Sequence, residues 1–356
     1  MTDVPPPGPE HALDRCRAIV HHLEAALRAE IPLEAEKIAL IMADYGAARR
    51  GVDERDREAL DRSLLHLFAP ISAWSDGRPE LVPIRTDVAI VTVISEELDA
   101  TLRAFDLDAA SFTQPVGSNR RFYETELRTS RAGRPISVVV SSSVRSGNPD
   151  VGPVISELRT HYNPSVWLLV GVAGGHRDHV GLGSVVLPEW VHYYEPGRVT
   201  DQEVQSRNKP VEIAESMFMN FRYYRPIQSG FYERIADFIS ALGPGEKPEG
   251  LDVAFRPEVI TRNIVIGSGE LAVRSQEFMD DLYRHNAAIK AVDQESYGFG
   301  ANLRDQHWAV VRGISDFGRS DESMSQDSWK FAAAGFAAVL VRNFLETQFV
   351  LPRRPS

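Results

Sequence analysis

Trp308-Ala309-Val310-Val311-Arg312-Gly313-Ile314-Ser315-Asp316-Phe317-Gly318-Arg319 is the stretch on which the reading of this chain turns. Ala309 to Ile314 is a short apolar run with the length and β-branched content of a buried strand. It stops on Ser315-Asp316, with Gly318 close behind. A carboxylate at the carboxyl end of a buried strand sits where open α/β sheets place their ligands. Taken alone, the same residues more readily make an Asx turn or a helix cap, with Gly318 supplying the turn. The rest of the chain changes that balance.

Upstream, strand and helix alternate, and the strands keep ending the same way. Asp87 to Ile94 is a buried-strand run followed at once by Ser95-Glu96-Glu97-Leu98. Ser95 reads as an N-cap, which puts Glu96 and Glu97 in a first helical turn, where the helix dipole favours negative charge. Such residues are commonly structural, but the same dipole would keep Glu97 ionised, as a general base requires. Ile136 to Ser142 reads as a strand, Ser143 to Pro149 as a polar loop and Val151 to His161 as a helix. Val166 to Val170 is a strand ending in Gly171-Val172-Ala173-Gly174-Gly175, whose glycines let backbone approach a ligand closely. The pattern is not GxGxxG, so a dinucleotide reading is weak. Gly183 to Pro188 is a further short strand, and a helix is expected near Phe231 to Leu242. Ile264 to Ile266 leads into Gly267-Ser268-Gly269-Glu270, and Ile289 to Val292 into Asp293-Gln294-Glu295-Ser296. Trp329 to Phe349 closes the pattern as an apolar helix. Glu97, Gly171 to Gly175, Ser268-Gly269, Glu295 and Asp316 therefore fall at one rim of an α/β domain. The histidines are scattered without ligand spacing, so no metal site is expected, and no Gly-x-Ser-x-Gly elbow is present.

Ahead of this domain, residues 1–10 read as a Pro-rich disordered arm. Residues 11–68 read as three amphipathic helices forming a small bundle. Leu13, Cys16, Ile19 or Val20, Leu23 and Leu27 give the first its stripe, Pro32 opens the second, and Asp53 caps the third. A module of this size more often binds a partner, or docks on its own neighbour, than does chemistry, and a partner or regulatory role is expected. Residues 69–86, with Pro70, Pro79, Pro83 and Asp76-Gly77, read as a linker. Residues 87–352 are left as the catalytic domain.

The formal net charge of −11 over 356 residues argues against a nucleic-acid partner, whose binding rests on neutralised phosphates. Cys16 is the only cysteine, which excludes an intramolecular disulfide and a cysteine-based metal site. The start has no signal-peptide pattern, and no apolar run approaches the ~20 residues of a membrane span. A soluble cytoplasmic protein with no membrane partner and no cofactor is expected.

Along residues 95–316 the motifs run in a fixed order: Ser95-Glu96-Glu97, Val170-Gly171-Val172-Ala173-Gly174-Gly175, Leu182-Gly183-Ser184-Val185-Val186, Ser268-Gly269-Glu270, Val292-Asp293-Gln294-Glu295-Ser296 and Arg312-Gly313-Ile314-Ser315-Asp316. In this order they resemble the superfamily of purine nucleoside phosphorylases and methylthioadenosine/S-adenosylhomocysteine nucleosidases. The N-terminal helices lie outside the resemblance.

The resemblance implies a single α/β domain, a mixed twisted central sheet flanked by helices, that cleaves ribosyl N-glycosidic bonds as a homo-oligomer. By position, Glu97 matches the carboxylate that activates water, Glu295 with Gln294 the ribose contact, and Asp316 the acid that protonates purine N7. Ala173 and Gly174 match the base pocket, with Ser315 beside the acid and Ser268 and Val273 among the substrate contacts. The chemistry suits these groups: protonating N7 improves the leaving base, and anionic carboxylates stabilise an oxocarbenium-like ribose.

Three departures concern the substrate, one of them a segment from Tyr194 to Arg256 longer than the compact nucleosidase pattern, and a fourth concerns the reaction. Asp293-Gln294-Glu295 stands where nucleosidases often read Glu-Met-Glu. Ala272 or Val273 stands where an aromatic stacks on the base, which leaves stacking to Phe317 or Tyr297. Leu169 and Val172 stand where hexameric phosphorylases hold phosphate with arginine and serine, so hydrolysis is expected over phosphorolysis. Arg145, Arg177 and Arg319 are candidate contacts for phosphates on a nucleotide. The fused helices resemble bacterial defence or signalling nucleosidases, in which such a module answers to a protein partner. A phosphorylase and a non-catalytic nucleotide sensor are the alternatives.

Overall fold

The structure is a computed structural model describing residues 9–28, Tyr45, Ala48, Val52, Asp53, Asp56, Leu60 and 85–352, apart from 116–117, 132, 200–203, 207–208 and 319–327. Among these residues the strands are β1 (Val88–Thr92), β2 (Tyr123–Leu127), β3 (Ile136–Ser142), β4 (Val166–Gly175), β5 (Val185–Val186), β6 (Trp190–Tyr193), β7 (Gly197–Val199), β8 (Val204–Ser206), β9 (Lys209–Glu212), β10 (Val259–Ile260), β11 (Val265–Ser268), β12 (Ile289–Asp293) and β13 (His307–Asp316). The helices are α1 (Pro9–Arg28), α2 (Ser95–Ala104), α3 (Val151–His161), α4 (Glu215–Tyr223), α5 (Phe231–Ser240), α6 (Gln276–His285), α7 (Ser296–Asn302) and α8 (Trp329–Thr347).

The chain divides into two compact units, residues 1–84 with 114–119 and 160–163, and the remainder. In the first, α1 starts at Pro9, so the end of the expected arm is helical. Ala12, Cys16, Val20 and Leu23 recur at helical spacing and are buried with Tyr45, Val52 and Leu60 in one cluster. Asp53 accepts a hydrogen bond from Asp56 N at 3.0 Å, as a capping side chain does. Most of the expected second and third helices, and the linker through residue 84, lie outside the described residues.

The second unit holds a mixed eleven-stranded sheet, with β7 and β8 pairing apart from it. β13 and β4 run parallel, from His307 against Val166 to Asp316 against Gly174. On its other edge β4 pairs in parallel with β1, from Val88–Val166 to Val91–Leu169. Beyond that, Gly174 and Gly175 pair antiparallel with β12 instead. β4 therefore exchanges one neighbour for another along its length, and the carboxyl ends of β1, β12 and β13 converge there. In open α/β sheets such a change of neighbours is where ligands bind.

Burial explains why these runs became strands. Every residue of β1 is buried, and β13 is buried from Trp308 to Ser315. Each valine or isoleucine so placed contributes roughly 1.5–3 kcal/mol relative to exposure. α8 packs on β13, β4, α2 and α5, and its early alanines are fully buried. The sequence predicts β3 and α3 with the bounds observed. β4 and β13 run further than expected: the glycines after Val170, and Ser315-Asp316, are strand rather than loop.

Candidate active site

Glu97 owes its position to the start of α2. The helix begins at Ser95, with Ile94 at the cap, one residue before the expected capping residue. Glu97 turns back on this terminus: its Oε2 accepts from Val93 N at 2.7 Å and Ile94 N at 3.3 Å. Its Oε1 accepts from Val172 N on β4 at 2.8 Å. The orphan donors of a helix start thus hold a carboxylate inward, the carboxylate half of a capping box.

Opposite lies Arg312, in the middle of β13 and fully buried. Its Nη1 is 3.4 Å from Glu97 Oε1, its Nη2 3.1 Å from Glu295 Oε2, and its Nε 2.9 Å from Asp293 Oδ2. A lone buried guanidinium would cost several kcal/mol, so its presence in an apolar strand is explained by these partners. Gly171 makes room for the contact: a Cβ there would lie 2.1 Å from Glu97 Oε1 and 2.5 Å from Arg312 Nη1. Asp293 also accepts from Ser296 N at 3.2 Å and from the Ser296 hydroxyl, which ties the end of β12 to α7. Glu295 Oε1 accepts from Gly147 N at 3.1 Å.

Three buried carboxylates face one cation. Burial pushes Glu97 upward from the ordinary carboxylate range, against the opposing pull of Arg312 and the backbone donors. Burial is also the main cause for Glu295, which is pushed up to about 7, with Asp293 and Glu97 adding to it and Arg312 opposing it. Burial acts against the charge on Arg312, but the three carboxylates outweigh it and raise its pKa. The helix start therefore does not by itself keep Glu97 ionised, because desolvation is the larger effect.

Asp316 is aimed by an irregularity in β13. Ile314 pairs with Ala173 and Asp316 with Gly174, so Ser315 is the extra residue of a bulge. Asp316 Oδ2 accepts from Ser315 Oγ at 2.8 Å and Oδ1 from Gly318 N at 2.9 Å. The turn foreseen at Gly318 is present, with φ +65°, and it coexists with the site.

Glu97, Glu295 and Asp316 line one cavity of about 290 Å³. Gln294, Ser315, Ala173, Gly174 and Val273 line it as well. Three other expected contacts lie off the lining. Ser268 is buried off the lining, its hydroxyl committed to Asn148 Oδ1 at 3.1 Å and Tyr297 N at 3.1 Å. Phe317 is off the lining and lies beneath the guanidinium of Arg177, 6.0 Å from the ring centre. Arg145 is exposed, and it is the next residue, Ser146, that reaches the cavity. Arg319 lies outside the described residues. Tyr297, the other stacking candidate, packs instead on Tyr193 with ring centres 4.6 Å apart.

Sequence reasoning assigned no role to Arg312 or Asp293, nor to Ser146, Arg274 and Lys330 on the lining. A lone arginine inside a β-branched run was the available signal for the first. Arg274 and Lys330 reach the cavity from separate segments and carry no local pattern. Among the described residues no three His, Cys, Asp or Glu side chains are grouped to hold a metal ion.

Three carboxylates, from α2, the end of β12 and the residue before α7, thus surround one buried arginine at the rim of a mixed sheet. The sequence profile of the phosphorylase superfamily matches residues 87–346, and the chain belongs to that superfamily. It is 26% identical over 265 residues to ATP nucleosidase Cap17 of Escherichia coli (strain KTE188), a match covering 73% of this chain and 51% of that protein. The chain thus spans about half the length of the curated relatives it matches. Among solved structures, the futalosine hydrolase of Helicobacter pylori superposes with a TM-score of 0.50 at 16% identity, over 73% of this chain and 97% of that one. The S-adenosylhomocysteine nucleosidase of Streptococcus pyogenes gives 0.51 at 17% identity, over 74% and 97%. At these identities the likeness is one of fold.

Proposed function

We propose that this protein hydrolyses the N-glycosidic bond of an adenine nucleoside or nucleotide, releasing the base. The observation that carries the proposal is the convergence of Glu97, Glu295 and Asp316 on a single cavity, at the low end of the volumes that small-molecule sites occupy. Glu97 takes a proton from water as the water oxygen attacks C1′. The C1′–N9 electron pair passes to the purine, and Asp316 supplies the proton that N7 gains. Ser315 Oγ, donating to Asp316, orients that carboxyl group. Glu295 accepts hydrogen bonds from the ribose hydroxyls, and the carboxylates stabilise the positive charge that develops on the sugar. A pKa raised by burial suits a general base, whose best value lies near the working pH.

The similarity to a protein named as an ATP nucleosidase supports a nucleotide as substrate. Among the described residues, Arg274 and Lys330 are the cations on the lining, and they are assigned to its phosphates. The separate N-terminal unit supports an enzyme that answers to a partner; the proposal extends to an effector that consumes adenine nucleotides in the cytoplasm as a homo-oligomer.

Incubation of the purified protein with ATP, AMP, adenosine and methylthioadenosine, with and without phosphate, tests the reading. Adenine and the free sugar are the expected products, at a rate independent of phosphate. Stoichiometric ribose 1-phosphate would instead establish a phosphorylase, and binding without any adenine release a sensor.

A further inference from the structure

Asn148, 7% exposed, is a junction between three segments next to the cavity. Its Oδ1 accepts from Gly298 N at 2.6 Å, in α7, and from Ser268 Oγ at 3.1 Å, at the end of β11. Its Nδ2 donates to Glu270 Oε1 at 3.0 Å, and its backbone N to Glu270 Oε2 at 3.3 Å. Glu270 is itself fixed through its backbone: Glu195 Oε1 accepts from its N at 2.7 Å, and Gln294 Nε2 donates to its O at 2.8 Å. Gly298 admits the loop, since a Cβ there would lie 2.0 Å from Asn148 O.

The residue before Asn148 is Gly147, whose N–H donates to Glu295 Oε1 at 3.1 Å. Gly147 adopts φ +123°, a conformation that L residues rarely take. The Gly147 N–H and Arg312 are the two donors the structure gives Glu295. Glu295 stands immediately before α7, whose second residue, Tyr297, donates its N–H to Ser268 Oγ. One amide side chain thus fixes both the donor, on the 143–150 loop, and the acceptor, at the start of α7.

We infer that Asn148 is a positioning residue which, clamped by Glu270, holds the Gly147 N–H against Glu295 and so sets the placement of that carboxylate in the cavity. The inference rests on the nucleosidase reading for its effect on turnover, but the clamp is measurable without it. Exchanging the polarity of the pair provides the test. In Asn148→Asp the two acceptor bonds to Ser268 and Gly298 survive, while the Nδ2 donor becomes an oxygen facing the Glu270 carboxylate. Adding Glu270→Gln restores a donor on the opposite side, and the remaining amide oxygen of Gln can still accept from the backbone N of residue 148.

Hydrogen exchange of the 143–150 segment, read by mass spectrometry, and the pH profile of adenine release are measured on the intact protein. N148D is expected to speed exchange in that segment and to lower kcat/KM by about 10- to 100-fold, the scale of a misplaced catalytic contact. It is also expected to move the pH limb governed by Glu295 upward, because the anion loses a donor. The N148D/E270Q pair should bring all three back towards wild type. Wild-type exchange and an unmoved pH profile in N148D overturn the inference, as does a double variant no better than the single. Should N148D not fold, Glu270→Ala removes the same link from an exposed residue and carries the same expectations. If no substrate releases adenine, the nucleosidase reading fails, while the exchange pattern still decides whether the clamp exists.

Discussion

Replacing Glu295 by Gln tests the charge balance of the site. Burial pushes Glu295 from 4.5 up to about 7, so the folded state holds its proton more tightly than the unfolded chain does. A group raised in this way contributes stability that is fully present below its unfolded pKa and lost as pH rises through the folded value. The interval from 4.5 to about 7 corresponds to about 3 kcal/mol at 1.36 kcal/mol per unit. Gln is a permanently neutral stand-in for the protonated acid; its single amide oxygen accepts from one of the two donors, Gly147 N or Arg312, and its NH2 faces the other. Wild type and E295Q should therefore have similar pH dependence below about pH 4.5. Between there and pH 8.5 wild type should lose up to about 3 kcal/mol relative to the variant. Denaturant unfolding at a series of pH values measures this. Trp167 and Trp308, paired in register on β4 and β13 and both buried, supply a fluorescence signal from the sheet beside the site. Curves that stay parallel within about 1 kcal/mol from pH 5 to 8.5 would refute the argument, since 1.36 kcal/mol is a single pKa unit.

Two further outcomes are expected. Asp316→Asn should lower turnover of an adenine substrate by at least ~100-fold, the scale of a lost general acid, with unfolding nearly unchanged; a folded variant of near-wild-type rate removes Asp316 from that role. Arg274→Ala combined with Lys330→Ala should raise KM for ATP at least ~10-fold more than KM for adenosine, because it removes binding remote from the bond that breaks. Equal effects on the two substrates would leave the phosphates without these partners.

What was legible in the sequence was what local pattern determines. Runs such as Asp87 to Ile94 and Ile136 to Ser142 are apolar because both faces of a largely parallel sheet are covered, and their bounds follow from that. The acidic and small residues at strand ends marked the rim, and the cavity joins Glu97, Gly174, Glu295 and Asp316 there. The glycines from Gly171 to Gly175 read as a loop because their purpose is not local. Gly171 clears space for Glu97 and Arg312, and a Cβ at Gly175 would lie 2.4 Å from Val180 and 2.7 Å from Ile314. Ser268 resembled a substrate contact by motif, but its hydroxyl bridges Asn148 and Tyr297, residues far away in sequence. Arg312 was hidden by its setting, since its three partners come from α2, the end of β12 and the residue before α7. No window of sequence contains them together.

Within the buried cluster the same three partners outnumber the one cation, and that yields a last expectation. With Glu97, Asp293 and Glu295 ionised, Arg312 neutralises one charge of three, in a cluster where no side chain is more than 8% exposed. Burial accordingly drives Glu97 and Glu295 towards holding protons. A neutral nucleoside does nothing to relieve this. The oxocarbenium-like sugar of the transition state does, because it brings a positive charge towards the carboxylates and the low local dielectric magnifies the attraction. The network should therefore favour the transition state over the substrate, which is the form of binding that accelerates chemistry. A stable ring that is cationic at the anomeric position, a protonated pyrrolidine carrying an adenine-like base, imitates that charge. It should bind at least ~100-fold more tightly than the matching neutral nucleoside, the lower end for such analogues. Its charge should also pull the raised carboxylate pKa values down, so binding near pH 7 should release protons. Calorimetry in buffers of different ionisation enthalpy reads both quantities. Equal affinity for the cationic and neutral compounds, with no proton released, would show that the carboxylates are not poised for a developing positive charge.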